Sequence, residues 1–484
     1  DVIRVEDTYY MVSTTMHFMP GCEILQSFDL VHWEHVTYVY ETLDHTDAQQ
    51  LKSGQNIYGQ GMWAASLRYH EGRFYICFVA NDTRKTYLYT SEKIDGPWKK
   101  QLIEGFYHDG SLLFDEDGRN YIVYGNDEIW ITELNEDLTA PKKDGLHRLL
   151  VSDHKNPELG YEGSHIQKIN GYYYIFLVHS LRDRWMRTEA CFYSDSLEGE
   201  FTGGDVLCDD RGYCGQGVAQ GGIVDTPDGK WYAMLFQDSG AVGRIPILLP
   251  VTWKDHFPFF GQNGHVPEEI EVHSTRPGYI YQPLVGSDDF CNGLLPRWQF
   301  NHDPDPRYYH LDALQGTYTI TTREVCTELT QAVNTLTQRM SYPSCAAEVT
   351  VDASALKEGD VAGLCALQGC YAAVGITKHH GKYEVLMLDK KEDGILDMTE
   401  GTVVESHQMD FRLEADFCNM KDEARCYYRV NKGDWLPIGT VHKLYFKLDH
   451  FTGCRFGLFC YAAEETGGSA CFRDFKYYDV DEIS

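Results

Sequence analysis

The amino-acid sequence predicts an all-β protein with two domains, a five-bladed β-propeller followed by a β-sandwich. A length of 484 residues exceeds what one hydrophobic core usually supports. The hydrophobic share of 43% and the charged share of 24% are those of a globular chain. Short strand patterns run along the chain without a clear long helix, and one turn motif recurs through the first half.

The recurring motif is a tight turn followed by aromatic residues, and each copy ends in tyrosine. Gly or Asp in the turn tolerates a positive φ, and the strand that follows is rich in aromatic and β-branched residues. Successive final tyrosines lie 65, 46, 53 and 58 residues apart, enough for one four-stranded sheet per copy. The copies are residues 6–10, 71–75, 117–121, 170–174 and 228–232.

These copies predict five propeller blades within residues 1–285. Several copies are followed by a second shared element, as in Ser27–Trp33 and Ser91–Trp98. The alternative is that the turns are ordinary hairpins of a sandwich, since Gly-aromatic turns occur in any antiparallel protein. The pairing of two repeated elements favours the propeller.

The repeat stops after Ser287–Phe290, which predicts a second domain over residues 286–484. Short alternating segments such as Tyr383–Met387 indicate half-buried strands, and a β-sandwich fits them best. Its last strands are predicted at Cys454–Phe459 and Ala470–Phe475.

The charge balance excludes two classes of partner. With 42 basic and 73 acidic residues, the net charge of −31 repels the phosphates of nucleic acids and anionic membranes alike. No apolar run reaches transmembrane length. A neutral sugar is indifferent to this charge.

The 15 cysteines are odd in number, scattered and without paired CxxC spacing. Neither a disulfide framework nor a zinc cluster is predicted. Unpaired thiols favour the cytoplasm of a bacterium. Because the chain starts at Asp1 without a methionine, its native N-terminus is missing and secretion stays open.

Two acidic residues occupy equivalent positions in neighbouring blades. Asp109 lies in Tyr107–Phe114 and Glu162 lies in Tyr161–Ile166, and each precedes the final tyrosine of its repeat by twelve residues. Inner blade strands line the propeller axis, so we expect both carboxyl groups to converge there. Either acid alone could cap a turn, but the shared register favours a site. Two opposed carboxyl groups, one protonated and one ionised, are what glycosidic cleavage needs.

At these residues the chain resembles glycoside hydrolase family 43, and the resemblance covers both domains. It implies a concanavalin-like or jelly-roll-like sandwich and an exo-acting, inverting hydrolase that releases terminal α-L-arabinofuranosyl or β-D-xylosyl units, or both. The implied substrates are arabinoxylan and xylo- or arabino-oligosaccharides of hemicellulose. The stretches that carry the resemblance are Asp1–Val5, Tyr9–Ser13, His17–Gly21, Met62–Ala64, Asp109–Ser111, Tyr161–His165 and Gly221–Thr226.

The resemblance also implies catalytic roles. Glu162 is expected to be the general acid, and Asp109 the aspartate that tunes the acid and orients the substrate. The general base belongs to an Asp-Pro-x-Val/Ile motif in which Asp1 takes position x, so it is expected two residues before Asp1, outside this chain, unless Asp1 itself serves. Inversion requires room for a water, roughly 6.5 to 9.5 Å between base and acid.

By the same resemblance, Trp63 is expected to lie against the pentose ring, although blade packing alone would also explain it. Arg244 is expected to reach sugar hydroxyls, and His17 and Phe18 to edge the pocket. The sandwich is expected to close one side of the pocket, which implies exo action.

No metal ligand is predicted and no cofactor is expected to be required. Some family members hold a calcium ion at the propeller hub through a histidine, but the matching stretch Phe236–Gly240 contains none. Any calcium there would be held by water and nearby oxygens.

Two other functions compete with the pentosidase. Because the expected general base lies outside this chain, one alternative is a catalytically silent carbohydrate-binding propeller. A repeat protein can also be a scaffold for protein partners. Between the two sugars, the stretch Thr14–Gly21 looks closer to arabinofuranosidase-like members of the family.

Overall fold

The computed structural model describes residues 1–479, and its regular structure is β-sheet apart from four short 3₁₀ helices. Five four-stranded antiparallel sheets form the blades of a propeller, and two larger sheets form a sandwich. The predicted fold class is confirmed. The 3₁₀ helices are Lys52–Gly54, Gly240–Val242, Leu329–Gln331 and Cys418–Met420.

Each blade is built from one continuous segment of chain, and in every blade the recurring turn joins the first two strands. Blade 1 contains β1 (Val2–Val5), β2 (Thr8–Ser13), then β3 (Phe18–Met19), which leaves the blade, β4 (Gly21–Ser27) and β5 (Glu34–Tyr40). Blade 2 contains β6 (Met62–His70), β7 (Arg73–Ala80), β8 (Lys85–Ser91) and β9 (Lys99–Ile103). Blade 3 contains β10 (Ser111–Phe114), β11 (Asn120–Asn126), β12 (Glu128–Leu134) and β13 (His147–Ser152). Blade 4 contains β14 (Glu162–Ile169), β15 (Tyr172–Ser180), β16 (Arg187–Ser194) and β17 (Thr202–Leu207), and blade 5 contains β18 (Ala219–Asp225), β19 (Trp231–Asp238), β20 (Arg244–Lys254) and β21 (Phe257–Phe260).

Hydrophobic clusters fill the spaces between neighbouring blades. One cluster joins each successive pair, and the last joins blade 5 to blade 1 through residues such as Tyr9 and Tyr232. The middle strands are therefore covered on both faces, which explains the continuous apolar run of β15, buried from Tyr173 to Ser180. The ring is closed by side-chain packing rather than by an exchanged strand among the described residues.

Polar contacts add to this closure. Arg4 in blade 1 donates from Nε to the carbonyl oxygen of Asp225 in blade 5 at 3.1 Å. After the last blade the chain returns to blade 1, where the backbone N–H of Thr275 donates to Phe28 at 2.7 Å and Arg276 donates to Asp7 at 2.8 Å.

Arg68 ties four blades together at the hub, the central axis of the propeller. From β6 its guanidinium donates to Asp1 Oδ2 at 2.6 Å, Ser111 Oγ at 2.7 Å, the Leu112 carbonyl at 2.8 Å and the Ile166 carbonyl at 3.0 Å. Burial lowers the pKa of Arg68 to about 10, so the side chain stays charged at neutral pH.

The second domain is a sandwich of a nine-stranded and a seven-stranded sheet around one apolar core. Its strands are β22 (Gln299–Asn301), β23 (Tyr309–Asp312), β24 (Thr317–Thr321), β25 (Leu336–Arg339), β26 (Ser344–Asp352), β27 (Val361–Leu367), β28 (Ala372–His379), β29 (Lys382–Lys390), β30 (Leu396–Met398), β31 (Thr402–Val404), β32 (Gln408–Asp416), β33 (Glu423–Val430), β34 (Leu436–Lys443), β35 (Arg455–Tyr461) and β36 (Ser469–Asp479). One sheet has the order β3-β22-β25-β35-β27-β28-β29-β30 with β31 also on β29, and the other has the order β23-β24-β36-β26-β32-β33-β34.

The strand β3 crosses from one domain to the other. It lies in the loop between β2 and β4 of blade 1, yet it pairs with β22, Met19 opposite Phe300 and Phe18 opposite Asn301. The propeller thus supplies the edge strand of the nine-stranded sheet. The propeller strands end at Phe260 and the sandwich's own strands begin at Gln299, while the exact limit at 285/286 stays a prediction.

All fifteen cysteines lie within the described residues and are free thiols. Across residues 1–479, no helix combines the length and the apolar character needed to cross a membrane.

Candidate active site

A cavity of about 760 Å³ lies at the hub, and every blade contributes to its lining. Four residues singled out in the sequence meet there, Trp63 from blade 2, Asp109 from blade 3, Glu162 from blade 4 and Arg244 from blade 5. Asp1 lines the same cavity from the start of blade 1. The two equivalent acids therefore converge as their positions in the repeat predict.

Irregular backbone aims these side chains at the hub. The inner strands β6, β14 and β18 each change register where they meet the cavity, and in β14 the shift falls between Glu162 and His165. Such a bulge turns a strand residue away from its regular direction. Asp109 precedes β10 with a φ of 48°, a left-handed conformation that costs a non-glycine residue on the order of 1–3 kcal/mol and is common at functional sites.

The position directly after Glu162, occupied by Gly163, requires glycine. Its φ is 68°, and a Cβ atom at this position would lie 2.6 Å from Cγ of Gln220. Its backbone N–H donates to Asp109 Oδ2 at 2.9 Å. The residue after Glu162 thus also holds the carboxylate of Asp109 in place.

His108, Asp109 and Glu162 form an acid cluster. His108 Nε2 lies 3.6 Å from Asp109 Oδ2 and 3.6 Å from Glu162 Oε2. The Asp109 side chain is 5% exposed and that of Glu162 is 22% exposed, so Glu162 is the acid that faces the cavity more openly. Asn126 orients Glu162 by donating from Nδ2 to Oε2 at 2.7 Å.

The close packing of the acid cluster raises the pKa values of two of its members. Burial raises the pKa of Asp109 to about 6, against the opposing effect of His108 and with a further increase from Glu162. Burial alone would lower the pKa of His108, but the Asp109 and Glu162 carboxylates raise it to about 9. At neutral pH a His108 imidazolium thus lies beside the carboxyl groups of Asp109 and Glu162.

The carboxylate of Asp1 is fully engaged in structural contacts. Its side chain is 1% exposed, and Oδ2 accepts from Arg68 Nη1 at 2.6 Å and from the Leu67 N–H at 2.9 Å. Oδ1 accepts from the Val2 N–H at 3.0 Å and lies 3.3 Å from His165 Nδ1. These contacts leave little capacity to bind and deprotonate a water.

The sandwich contributes part of the cavity wall. Phe451, in the loop between β34 and β35, lies with its ring 5.1 Å from Trp63, edge to face, and 4.1 Å from the guanidinium carbon of Arg244. Arg244 Nε donates to Asp238 Oδ1 at 3.0 Å. The sandwich residues that line the cavity are Arg339, Phe446, Lys447, Leu448, Phe451 and Thr452.

His17 and Phe18, expected at the edge of the pocket, lie elsewhere. Both are fully buried between the domains, where the His17 ring lies 4.8 Å from Tyr58, 4.7 Å from His302 and 5.3 Å from His450. Neither residue lines the cavity. The reason is the pairing of β3 with β22, which draws this loop under the sandwich.

This buried histidine cluster predicts a loss of stability in acid. Burial, with a smaller effect of His450, lowers the pKa of His302 to about 3. The unfolded chain binds the proton below about pH 6.5 and the folded protein does not, so stability falls as pH drops from about 6.5 to 3, by at most about 1.4 kcal/mol per pH unit for one histidine. Urea unfolding at several pH values should show a shallower dependence for His302→Gln than for the wild type. An equal pH dependence of stability in the two proteins would show that His302 does not stay neutral in the folded state.

Several residues of the cavity carried no role in the sequence analysis. His108 and Asn126 could have been noticed. His108 adjoins Asp109, and Asn126 ends β11, the second strand after Asp109. Arg187 and Asp238 on blades 4 and 5 and Phe451 in the second domain had no local signal, because only the fold brings them to the hub.

The hub stretch Phe236–Gly240 does not fit a calcium ion. Its carboxylate, Asp238, is paired with Arg244 at 3.0 Å and Arg187 at 3.4 Å, whereas calcium prefers about six to eight free oxygen ligands. Among the described residues, the acid cluster is the one group of three potential metal ligands, with ligand atoms within 4.8 Å of one another. A protonated His108 is a poor ligand, so we assign no reaction step to a metal.

A propeller whose hub cavity holds two neighbouring carboxyl groups together with aromatic and arginine side chains has the chemistry of a glycoside hydrolase. The family model described as glycosyl hydrolases family 43 matches residues 1–258, and the model of the beta xylosidase C-terminal concanavalin A-like domain matches residues 287–478. The chain belongs to glycosyl hydrolases family 43, as its motifs indicated.

Individual relatives agree with this placement. A beta-xylosidase of Formosa agariphila is 26% identical over 542 residues, covering 99% of this chain and 87% of the relative. A solved structure named bifunctional GH43-CE, from Bacteroides eggerthii, is 42% identical with a TM-score of 0.91, and this chain, fully covered, spans 62% of its length. A solved GH43 glycoside hydrolase engineered to display both endo-xylanase and exo-arabinofuranosidase activity is 27% identical with a TM-score of 0.85, covering 99% of this chain and 97% of that one.

Proposed function

We propose that the protein is an exo-acting, inverting glycoside hydrolase that releases terminal pentoses from arabinoxylan or from xylo- and arabino-oligosaccharides. The observation that carries the proposal is the acid cluster, which places Asp109 and Glu162 on the same His108 nitrogen at 3.6 Å inside a lined cavity. The names of the relatives, a beta-xylosidase and an enzyme with exo-arabinofuranosidase activity, support the choice of pentosides.

In this mechanism Glu162 donates its proton to the leaving glycosidic oxygen as the bond breaks. Its greater exposure and the hydrogen bond from Asn126 suit a group that must reach the substrate. Asp109, held by the Gly163 N–H, keeps negative charge beside the acid and disfavours early loss of its proton. A water activated by a base on the opposite face of the sugar completes the inversion.

We assign the base to the segment that precedes Asp1. The contacts that engage both oxygens of the Asp1 carboxylate support this assignment over the alternative that Asp1 serves. The backbone of Asp1 pairs with Val12 at the cavity end of β1, so a preceding residue would enter the site from that side. In a chain carrying these residues, Asp1→Asn should then cost less activity than replacement of the preceding acid.

Exo action is supported by the wall that the sandwich adds. Phe451 and its neighbours cover one side of the hub, so the cavity accommodates a chain end better than the middle of a polymer. Apolar contact with Trp63 and hydrogen bonds from Arg244 suit a single neutral sugar ring.

The deciding experiment is hydrolysis of the nitrophenyl α-L-arabinofuranoside and β-D-xylopyranoside by a chain that includes the residues before Asp1. Release of nitrophenol from one or both is expected, and the ratio of the two rates assigns the sugar. Pentose binding by calorimetry without hydrolysis would favour the silent binding propeller instead. Absence of both binding and hydrolysis would overturn the proposal.

Asp109→Asn should lower activity and move the alkaline limb of the pH–rate profile to lower pH. With the carboxylate gone, the His108 imidazolium is the remaining charge beside the general acid, and it favours loss of the acid's proton. The profile of kcat/KM between pH 4 and 9 measures the shift. An unchanged limb together with lower activity would assign Asp109 a purely structural role.

A further inference from the structure

A second arginine, Arg187, lies beside Arg244 in the wall of the cavity, and the mechanism above does not use it. It begins β16, is 3% exposed and lines the cavity. Its guanidinium carbon lies 4.7 Å from the centre of the Phe236 ring, and that of Arg244 lies 4.6 Å from the same ring. Two guanidinium groups therefore share one aromatic support.

The two arginines of this wall differ in how well they are hydrogen-bonded. Asp238 is shared by the two arginines, with Oδ1 accepting from Arg244 Nε at 3.0 Å and Oδ2 lying 3.4 Å from Arg187 Nη1. The Nη1 group of Arg187 is buried and has no hydrogen-bond partner among residues 1–479. Its Nη2 makes one long hydrogen bond, 3.4 Å, to Gln220 Oε1. The 3.4 Å contact with Asp238 Oδ2 is an ion pair without a hydrogen bond, and a buried charged donor that lacks a hydrogen-bond acceptor is costly.

The backbone of Arg187 is held closely by its neighbours. The Arg187 N–H donates to the carbonyl of Gly215 at 3.1 Å, and Arg187 pairs with Ser180 in β15. A Cβ atom on Gly217 would lie 1.8 Å from the Arg187 carbonyl oxygen, so the neighbouring chain fits closely against it. A donor held in this way loses little conformational freedom when a ligand arrives.

We propose that Arg187 is a substrate-binding residue, whose Nη1 donates to a hydroxyl of the terminal pentose, adjacent to the hydroxyl bound by Arg244. The inference rests on the proposed function and deepens it. Two guanidinium groups joined by one carboxylate present donors side by side, which matches neighbouring hydroxyls on one sugar ring. Recognition of a hydroxyl pair makes the wall selective for an undecorated terminal sugar, because acylation or removal of either hydroxyl leaves a buried donor unpaired.

The test removes Arg187 and one substrate hydroxyl, separately and together, and compares the losses of affinity. Methyl α-L-arabinofuranoside, methyl β-D-xylopyranoside and their single-deoxy analogues are titrated by calorimetry into the protein and into Arg187→Met, both in a Glu162→Gln background so that no ligand is consumed. For one hydroxyl we expect deoxygenation to weaken binding by about 10- to 100-fold with Arg187 present and by less than about 3-fold with Arg187→Met. Equal losses in both proteins for every analogue would overturn the assignment.

Two further variants separate binding from structure. Arg184→Met removes an exposed arginine from the preceding loop and should leave every affinity unchanged. Arg187→Lys keeps the charge and, in the same comparison, should retain part of the sensitivity to the same hydroxyl, which also covers the case in which Arg187→Met does not fold. If the parent protein binds neither pentoside, the proposed function itself fails, whereas binding without coupling to Arg187 removes this inference alone.

Discussion

Glu162→Gln is expected to lower kcat/KM on xylo- and arabino-oligosaccharides by roughly 10²- to 10⁴-fold, because these leaving groups depart only when protonated. Nitrophenyl pentosides should retain much more activity, since nitrophenolate leaves without help from an acid. The glutamine keeps the size of the side chain and its contact with Asn126, so binding should change little. Steady-state kinetics on both substrate types measure the difference.

The matched control is Glu158→Gln, an exposed glutamate four residues earlier in the loop that leads into β14, which should keep full activity on both substrates. Equal losses on the oligosaccharides and the nitrophenyl pentosides for Glu162→Gln would contradict the role of general acid. A loss confined to the nitrophenyl substrates would do so as well.

Arg68→Met is expected to lower the free energy of unfolding by about 3–5 kcal/mol, the usual cost of leaving a buried charge without its partner. The change removes the counter-charge of Asp1, which is 1% exposed, and the donors for carbonyl groups of Leu112 and Ile166. Methionine fills a similar volume, so the loss reflects polar contacts rather than a cavity.

Urea unfolding followed by fluorescence and by circular dichroism measures this effect, with agreement between the two probes as the test of a single transition. Arg119→Met is the control, because Arg119 lies in the exposed turn of blade 3 and pairs with Asp117 across the turn. A surface pair of this kind contributes about 0–1 kcal/mol. Similar losses for the two variants would show that Arg68 does not hold the hub together.

The blades could be predicted because their signal is local. At Glu71-Gly72 and Asn170-Gly171 both turn residues have positive φ, the geometry that a tight hairpin demands and that few residues adopt. The turns of the other three blades each contain one residue of positive φ, Glu6, Gly118 or Gly229, so the spacing of the turns gives the number of sheets. The convergence of Asp109 and Glu162 followed from their equal distance to these turns.

The remainder of the site depends on contacts that no local pattern encodes. Phe451 reaches the cavity from a different domain, and Arg187 matters only because Phe236 and Asp238 of the next blade lie against it. His17 and Phe18 were misplaced for the same reason. Their sequence neighbours belong to blade 1. The strand β3, which begins at Phe18, pairs with β22, where the partners of Phe18 and Met19 are 283 and 281 residues away along the chain.

The pairing of β3 with β22 also affects whether the two domains can be expressed separately. Without β3, the nine-stranded sheet would end at β22, with the unpaired N–H and C=O groups of Phe300 and Asn301 open to any extended peptide. A sandwich expressed alone would therefore have an exposed edge strand that can pair with other chains. A propeller expressed alone would lose the sandwich residues that line its hub cavity. Separate expression is therefore expected to weaken both domains.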